Sequence, residues 1–399
     1  MLRQLIRPLY AKEQCPSCSH RFRLWQTPFR CTSEASLCKP ERDDRFATIW
    51  KDQAPRGKVV APPGPFARRA KCHGCGQQTR KRLCPNCHME LPPTTGELPS
   101  YSFAVVGAKE AGKSHYIAVL IDHWRQRLGP AMDIELRPVG DGTRQRYAQV
   151  FADPIFKRRT VIDTTRSALG NVDNRLPLIY TLTVSGKNLL GRRVKQKAVN
   201  LAFYDSAGED LNSSDVMSVV NKYIYSAHGI ILLLDPLQLP SVRDQLGSAV
   251  ALPGQNTETV DILERVADLI RNGRDKPSTW MIPIPLAVSF SKLDALEPLI
   301  EPHYSVLAEP DHTSGFDEGD AAAVSGEMEA LIALWQGEAL LDQVRNHFKH
   351  YRFFGLSALG CNPQADRRIP RVIPRRVEDP FLWLLRRRRL IQSKPAIRS

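Results

Sequence analysis

The chain has 399 residues, 42% of them hydrophobic and 25% charged, with a mean hydropathy of −0.32, enough to bury a core in one large domain plus a smaller module. No apolar run approaches the roughly 18 to 20 residues of a membrane helix, the longest being Ile230 to Leu234, which argues against a transmembrane protein. The net charge of +14 sits at the ends: Met1 to Leu98 carries 18 Lys and Arg against 8 Asp and Glu, and Asp366 to Ser399 carries 11 against 3. Two basic ends suit nucleic acid, an anionic membrane surface or an acidic protein partner, and charge alone does not choose among them. The first ten residues are too charged for a secretory leader, so a cytoplasmic chain without disulfides is expected.

Eight of the nine cysteines fall before residue 90, which marks residues 1–98 as a zinc-binding module. Cys72, Cys75, Cys84 and Cys87 form two C-x-x-C pairs eight residues apart, each in a turn with Gly or Pro, and four thiolates close a structural zinc site completely. Cys15 and Cys18 make another half-site, for which Cys31 and Cys38 are the expected partners; the spacing also allows an interleaved arrangement in which each pair borrows ligands from the other half. His20, His73 and His88 are expected to be exposed neighbours. Residues 39–71 read as an irregular linker, and residues 91–100 as a hinge.

A P-loop domain is expected over residues 99–365. The β-branched and aromatic run Tyr101 to Val106 leads into Gly107-Ala-Lys-Glu-Ala-Gly112-Lys113-Ser114 and then a helical pattern from His115 to Leu128, the strand, loop and helix that G-x-x-x-x-G-K-[ST] requires. Backbone N–H groups from Gly107, Ala108, Lys109, Glu110, Ala111, Gly112 and the helix start through His115 would surround phosphates, Lys113 would supply charge, and Ser114 would ligate Mg²⁺. Further on, the strand Ala198 to Tyr204 ends in Asp205-Ser-Ala-Gly208, where Asp205 can reach the magnesium shell and Gly208 the γ-phosphate. The strand Leu286 to Phe290 ends in Ser291, Lys292, Leu293 and Asp294, and the strand Arg352 to Leu356 ends in Ser357, Ala358 and Leu359.

This order of motifs resembles the Ras-like and translation-factor-related GTPases. The resemblance implies an α/β fold, a mostly parallel sheet flanked by helices, with Asp294 accepting from guanine N1–H and the 2-amino group, Lys292 lying along the base and the Ala358 backbone reading guanine O6. Ser291 stands where that family has Asn or Thr. With the cysteine module in front and Val377 to Leu385 behind, the chain also resembles the bacterial double-GTPase type 2 proteins. That resemblance implies conflict or defence systems and a partner GTPase-like protein.

Thr160, Thr164 and Thr165 are candidates for a switch threonine, with Thr164 preferred because Arg158 to Asn174 lacks a strand or helix pattern. Glu209 follows the Asp205 motif where a Gln would orient the attacking water, so slow hydrolysis is expected. Residues 296–323 read as an acidic insertion able to carry partner contacts, and Glu327 to Phe348 as one amphipathic helix. The basic segment 366–399 reads as a terminal helix packed on the domain, or alternatively as an anchor for anionic lipid or nucleic acid. The expected function is a GTP-binding and GTP-hydrolysing switch using Mg²⁺, GTP/GDP and two Zn²⁺, with a protein partner docked through the zinc module; the rivals are a GTP-binding scaffold with little hydrolysis and a nucleic-acid-binding NTPase.

Overall fold

The computed structural model describes residues 12–64, 66–108, 110–162, 176–187, 193–205, 220–247, 258–364 and 366–394. Short strands frame the first module: β1 (Lys12–Gln14) pairs antiparallel with β2 (Arg21–Arg23), β3 (Phe29–Arg30) with β4 (Val59–Val60), and β5 (Ala70–Lys71) with β6 (Gln78–Thr79). The stretch expected to be an irregular linker instead carries helix α1 (Asp44–Trp50), begun by Asp43 accepting from the Phe46 N–H. Trp50 is buried and donates to the Cys87 carbonyl at 3.0 Å, so the stretch belongs to the module's core. The expected hinge is likewise fastened, with Thr94 donating to the Asn200 side chain at 2.9 Å.

Seven strands form the second body: β7 (Ser100–Gly107), β8 (Ile134–Pro138), β9 (Leu178–Lys187), β10 (Arg193–Asp205), β11 (Gly229–Leu234), β12 (Leu286–Phe290) and β13 (Tyr351–Gly355). They lie in the order β13-β12-β11-β7-β10-β9-β8. β10 through β13 are parallel, and the β9 and β8 edge is antiparallel. Every residue of β11 and β12 is buried, as a parallel sheet covered on both faces demands. Alternate residues serve opposite faces: Ala104, Val106, Ile230 and Leu232 join the core on one side, and Phe103, Val105, Ile231 and Leu233 the core on the other. This is the expected P-loop α/β fold with a cysteine module before it.

Helix α2 (Lys113–His123) covers the second face together with α3 (Gly140–Arg146), and α3 runs on in wider turns over Tyr147–Arg158. α4 (Val220–Tyr225), α5 (Pro240–Leu246) and α6 (Glu258–Gly273) follow. After the short α7 (Leu293–Leu296), the amphipathic stretch proves to be two helices, α8 (Glu318–Leu334) and α9 (Glu338–His347), because Gln336 adopts a left-handed φ of 59° and turns the chain before Gly337. Residues 296–323 pack rather than loop out: Ile300, Val306, His312 and Phe316 are buried. Helix α10 (Asp379–Arg387) decides between the two readings of the basic segment. Its Phe381 meets Phe103, Trp124 and Phe203 with ring centroids 5.2 to 5.5 Å apart, and Leu382, Trp383, Leu384 and Leu385 are buried beside it. The side chains that an interfacial anchor would insert into lipid are core instead.

Candidate functional site

The P-loop joins β7 to α2. Gly107 has no room for a side chain, since a Cβ there would lie 2.3 Å from the Leu233 carbonyl oxygen of the neighbouring strand. Gly112 begins α2 with a left-handed φ of 84°, which glycine adopts without penalty. Lys113, 6% exposed, donates to the Gly107 and Ala108 carbonyls at 2.9 and 2.7 Å and so lies across the loop's mouth. Ser114 occupies the first turn of α2. His115 turns inward, and its Nε2 accepts from the Ile162 N–H at 3.0 Å. Burial, then the charges of Arg367 and Lys292, lower its pKa to about 4, so the imidazole is neutral and able to accept.

The loops after β12 and β13 meet beside it. Lys292 takes a left-handed φ of 57° at the start of α7 and pairs with buried Asp235 at 2.5 Å. Asp235 also accepts from the Leu237 N–H at 3.0 Å, which fixes its carboxylate. Ser291 Oγ donates to the Leu234 carbonyl at 3.1 Å, binding its loop to β11. Ser357 Oγ donates to Asp294 and accepts from the Gly360 N–H at 2.8 Å, so the two loops are tied through one hydroxyl. Ser357 exchanges backbone bonds of 3.0 and 2.9 Å with Arg375, and Leu359 accepts from Ile373 N–H, which places Ala358 between two anchored neighbours. Asp205 is the last residue of β10, opposite Val105 of the P-loop strand. These loops all leave the carboxyl ends of parallel strands, where ligands of open α/β sheets bind. Lys109, Thr164, Thr165, Gly208 and Glu209 lie outside the described residues. Thr160 is described, and its N–H donates to the Pro154 carbonyl at 2.9 Å. Sequence reasoning missed Asp235; its signal was a lone acid closing the apolar run Ile230 to Leu234, directly before Pro236.

The eight cysteines form two groups of four, and the grouping is interleaved rather than sequential: Cys15, Cys18, Cys84 and Cys87, and separately Cys31, Cys38, Cys72 and Cys75. Strand pairing is the cause. Arg30 N–H donates to the Lys81 carbonyl and Leu83 N–H to the Pro28 carbonyl, an antiparallel match between the two halves. Chain leading forward from Arg30 therefore runs toward Cys72, and chain leading back from Phe29 runs toward Cys84. Three of the half-sites share one turn: Ser19, Gly76 and His88 each take a left-handed φ and donate to the carbonyl of the first cysteine, at 3.0, 2.8 and 3.0 Å.

Tetrahedral thiolate ligation of zinc at about 2.3 Å spaces the sulfurs about 3.8 Å apart. The pairs Cys15–Cys87, Cys18–Cys84, Cys31–Cys75 and Cys38–Cys72 stand at 3.9, 3.6, 3.7 and 3.9 Å, so each group fits one such ion. The Ser17 and Asn86 N–H groups, each 3.4 Å from a sulfur, add the outer support usual for such sites. Burial and the neighbouring thiols push Cys15 well up, while hydrogen bonds from Cys15, Cys84 and Cys87 hold Cys18 far below its usual range: four sulfurs this close do not all ionise without a cation. His88 is not the exposed neighbour expected, since its Nδ1 bonds Asp43 at 2.8 Å and Asp43 in turn pairs with Arg30 at 2.7 Å.

This first cysteine group abuts the P-loop body. Tyr204, the residue before Asp205, donates its hydroxyl to the Pro16 carbonyl, and its ring stacks on Tyr223 with centroids 4.4 Å apart and planes at 7°. Burial, then Cys15 and Cys18, push the Tyr204 phenol well above its ordinary range, so it remains a donor. Gln14 Nε2 donates to the Ser226 carbonyl at 3.3 Å.

No family model matches the chain. Among curated proteins it is 28% identical, over 344 residues, to "Putative ESX-1 scaffolding and assembly protein SaeC" of Mycolicibacterium smegmatis, a match covering 81% of this chain and 83% of that one. Among solved structures, the signal recognition particle receptor SRb-GTP/SRX complex from Chaetomium thermophilum overlaps 68% of this chain and 95% of its own at 14% identity and a TM-score of 0.28. The "putative nucleolar GTP-binding protein 1" of Plasmodium falciparum overlaps 73% and 89% at 9% identity and a TM-score of 0.29. Both overlaps are loose, and the architecture stands on the strand order and motif loops described above.

Proposed function

We propose that the chain is a GTP-binding switch that hydrolyses GTP slowly with Mg²⁺, and that its zinc-loaded N-terminal module docks a protein partner in the assembly of a larger complex. The observation that carries this reading is the meeting of the P-loop with two tied loops in which Ser357 holds Asp294 and Asp235 holds Lys292. A carboxylate at Asp294 suits the N1–H and 2-amino donors of guanine, and adenine has neither. Lys113 would place its charge on the β- and γ-phosphates, and Ser114 and Asp205 would ligate Mg²⁺, which supplies charge neutralisation at the transferred group. Thr164 would complete the metal shell, and Glu209 would accept from the attacking water. The curated relative named for scaffolding and assembly favours an assembly role over the conflict or defence role that the double-GTPase resemblance implies. Trp25, Leu37 and Phe66 of the cysteine module stand exposed, at 39%, 65% and 57%, and are accessible to a partner.

The nucleotide carried by protein purified without added ligand tests the base: guanine nucleotide is expected, and equal affinity for ATP and GTP overturns the reading. A second reading, a GTP-binding scaffold with little turnover, draws support from Glu209 and from the relative's name. Single-turnover hydrolysis separates the two. Slower turnover in Glu209→Gln than in wild type supports a water-positioning carboxylate, and no turnover in either with tight GTP binding supports the scaffold. The nucleic-acid reading is weakened because Arg386 and Arg388 of the terminal basic run bond Ser393 and the His228 carbonyl, at 2.5 and 2.8 Å.

A further inference from the structure

The turn between α4 and β11 lies at the amino end of the sheet. His228 N–H donates to the Ser102 carbonyl at 2.8 Å near the start of β7, and the P-loop follows that strand's other end, about 17 Å away. Three separate parts of the chain hold this turn by its carbonyls. Arg274, just after α6, donates through Nε to the Tyr225 carbonyl at 2.6 Å, and Gln14 of β1 donates to the Ser226 carbonyl at 3.3 Å. Arg388, just after α10, donates to the His228 carbonyl through Nε at 2.8 Å and through Nη2. Gln14 stands directly opposite Arg21 in the β1–β2 ladder, and such opposed residues leave one face with Cβ atoms about 5 Å apart. Arg21 of the cysteine module therefore comes to the same turn.

Tyr225 and His228 are three residues apart, so the guanidiniums they hold are brought within about 10 Å of chain. Among the described residues no carboxylate pairs with Arg21, Arg274 or Arg388, and Nη1 of Arg388 and both Nη groups of Arg274 have no partner. Burial, then the charges of Arg21 and Arg388, lower the Arg274 pKa. Burial, then Arg388, Arg21 and Arg274, bring His228 down to about 4, and no acid opposes them there. We infer that Arg21, Arg274 and Arg388 form an anion site that takes a small phosphate monoester from solution. Forked guanidinium N–H groups match the oxygens of a phosphate, and a dianion offsets more of three like charges than a carboxylate does. A lipid headgroup suits the site less well, because the apolar side of α10 is core and leaves nothing to insert into a bilayer. Arg21 belongs to the cysteine module and the other two arginines to the P-loop body, so a bound phosphate fastens the two together. The inference stands independently of the GTP reading.

The test uses the full-length chain loaded with zinc, titrated in a calorimeter with glycerol phosphate, with inorganic phosphate and with acetate at equal ionic strength. Wild type is compared with Arg21→Ala and Arg21→Lys. Arg21 is exposed and its side chain holds no bond among the described residues, so both variants should fold. Phosphate taken by the P-loop is common to all three proteins and cancels in the comparison. Arg21→Ala is expected to weaken glycerol phosphate and inorganic phosphate by about tenfold, the scale of one charge-assisted hydrogen bond, and Arg21→Lys, which keeps the charge without the fork, by less. Glycerol phosphate should raise the melting temperature of wild type more than that of Arg21→Ala. Equal phosphate affinity in wild type and Arg21→Ala, or acetate bound as tightly as phosphate, overturns the inference. Vesicles containing phosphatidic acid that bind wild type while glycerol phosphate does not also overturn it, in favour of a membrane surface.

Discussion

Arg376 has a side chain 1% exposed and spends its guanidinium on Asp379 at 2.7 Å, Asp320 at 2.8 Å and the Ala308 and Ser305 carbonyls. Arg376→Ala would leave Asp379, also 1% exposed and held on its other side by His312 at 2.9 Å, without its main counter-charge. A loss of about 3 to 5 kcal/mol is expected in urea denaturation, and a loss under 1 kcal/mol would refute the account. Asp294→Asn replaces an acceptor by an amide that also donates, so GTP affinity should fall by about 2 kcal/mol while XTP affinity rises; unchanged nucleotide selectivity would refute the assignment. His115 and His228 both accept from backbone N–H groups, of Ile162 and Ser102, and burial lowers both to about 4. Their folded values lie below the unfolded value near 6.5, so the unfolded chain binds the extra protons. Stability is therefore full above about pH 6.5 and falls by about 1.4 kcal/mol per pH unit for each histidine down to about pH 4. Urea midpoints that do not move between pH 7 and 5 would contradict this. At this scale the P-loop was legible because its residues act within eight positions of one another. Asp235, Arg376 and Tyr204 were not, because their partners Lys292, Asp320 and Pro16 lie far away in the chain and no local pattern announces them.

Among elements, the cysteine module shows what spacing does and does not determine. Spacing identified the C-x-x-C turns, since each is a local backbone device. Their pairing was settled by the match of Pro28–Arg30 with Lys81–Leu83, which carries no motif. Helix α1 was hidden for a related reason: its seven residues are flanked by Pro and Arg, and it is held by Asp43 and by Trp50 against Cys87 rather than by an amphipathic period. The interleaving makes a sharp prediction. Cys15→Ser with Cys84→Ser damages one group only and should retain one zinc per chain by elemental analysis, whereas a sequential pairing would lose both. A fragment ending at residue 60 holds four cysteines, two from each group, and should bind no zinc tightly.

For the whole molecule, the strand runs and the order of the motif loops gave away the α/β architecture. What covers one face of the sheet stayed hidden: Phe381 to Leu385 before four arginines fits a membrane-surface helix as well as a core helix, and only the aromatic cluster of Phe103, Trp124, Phe203 and Phe381 distinguishes them. Removing residues 379–394 should therefore unfold the P-loop body rather than trim it. A truncated chain that stays soluble with an unchanged melting temperature would refute this. The same helix sets a schedule for synthesis. The P-loop and its strand leave the ribosome early, yet the apolar surface around Phe103 and Phe203, which α2 and α3 cover only in part, lacks the rest of its cover until residues 381–385 emerge. Through most of translation the nascent chain thus carries a sticky face that chaperones must hold, and any product stalled after Leu356 would keep that face open for good.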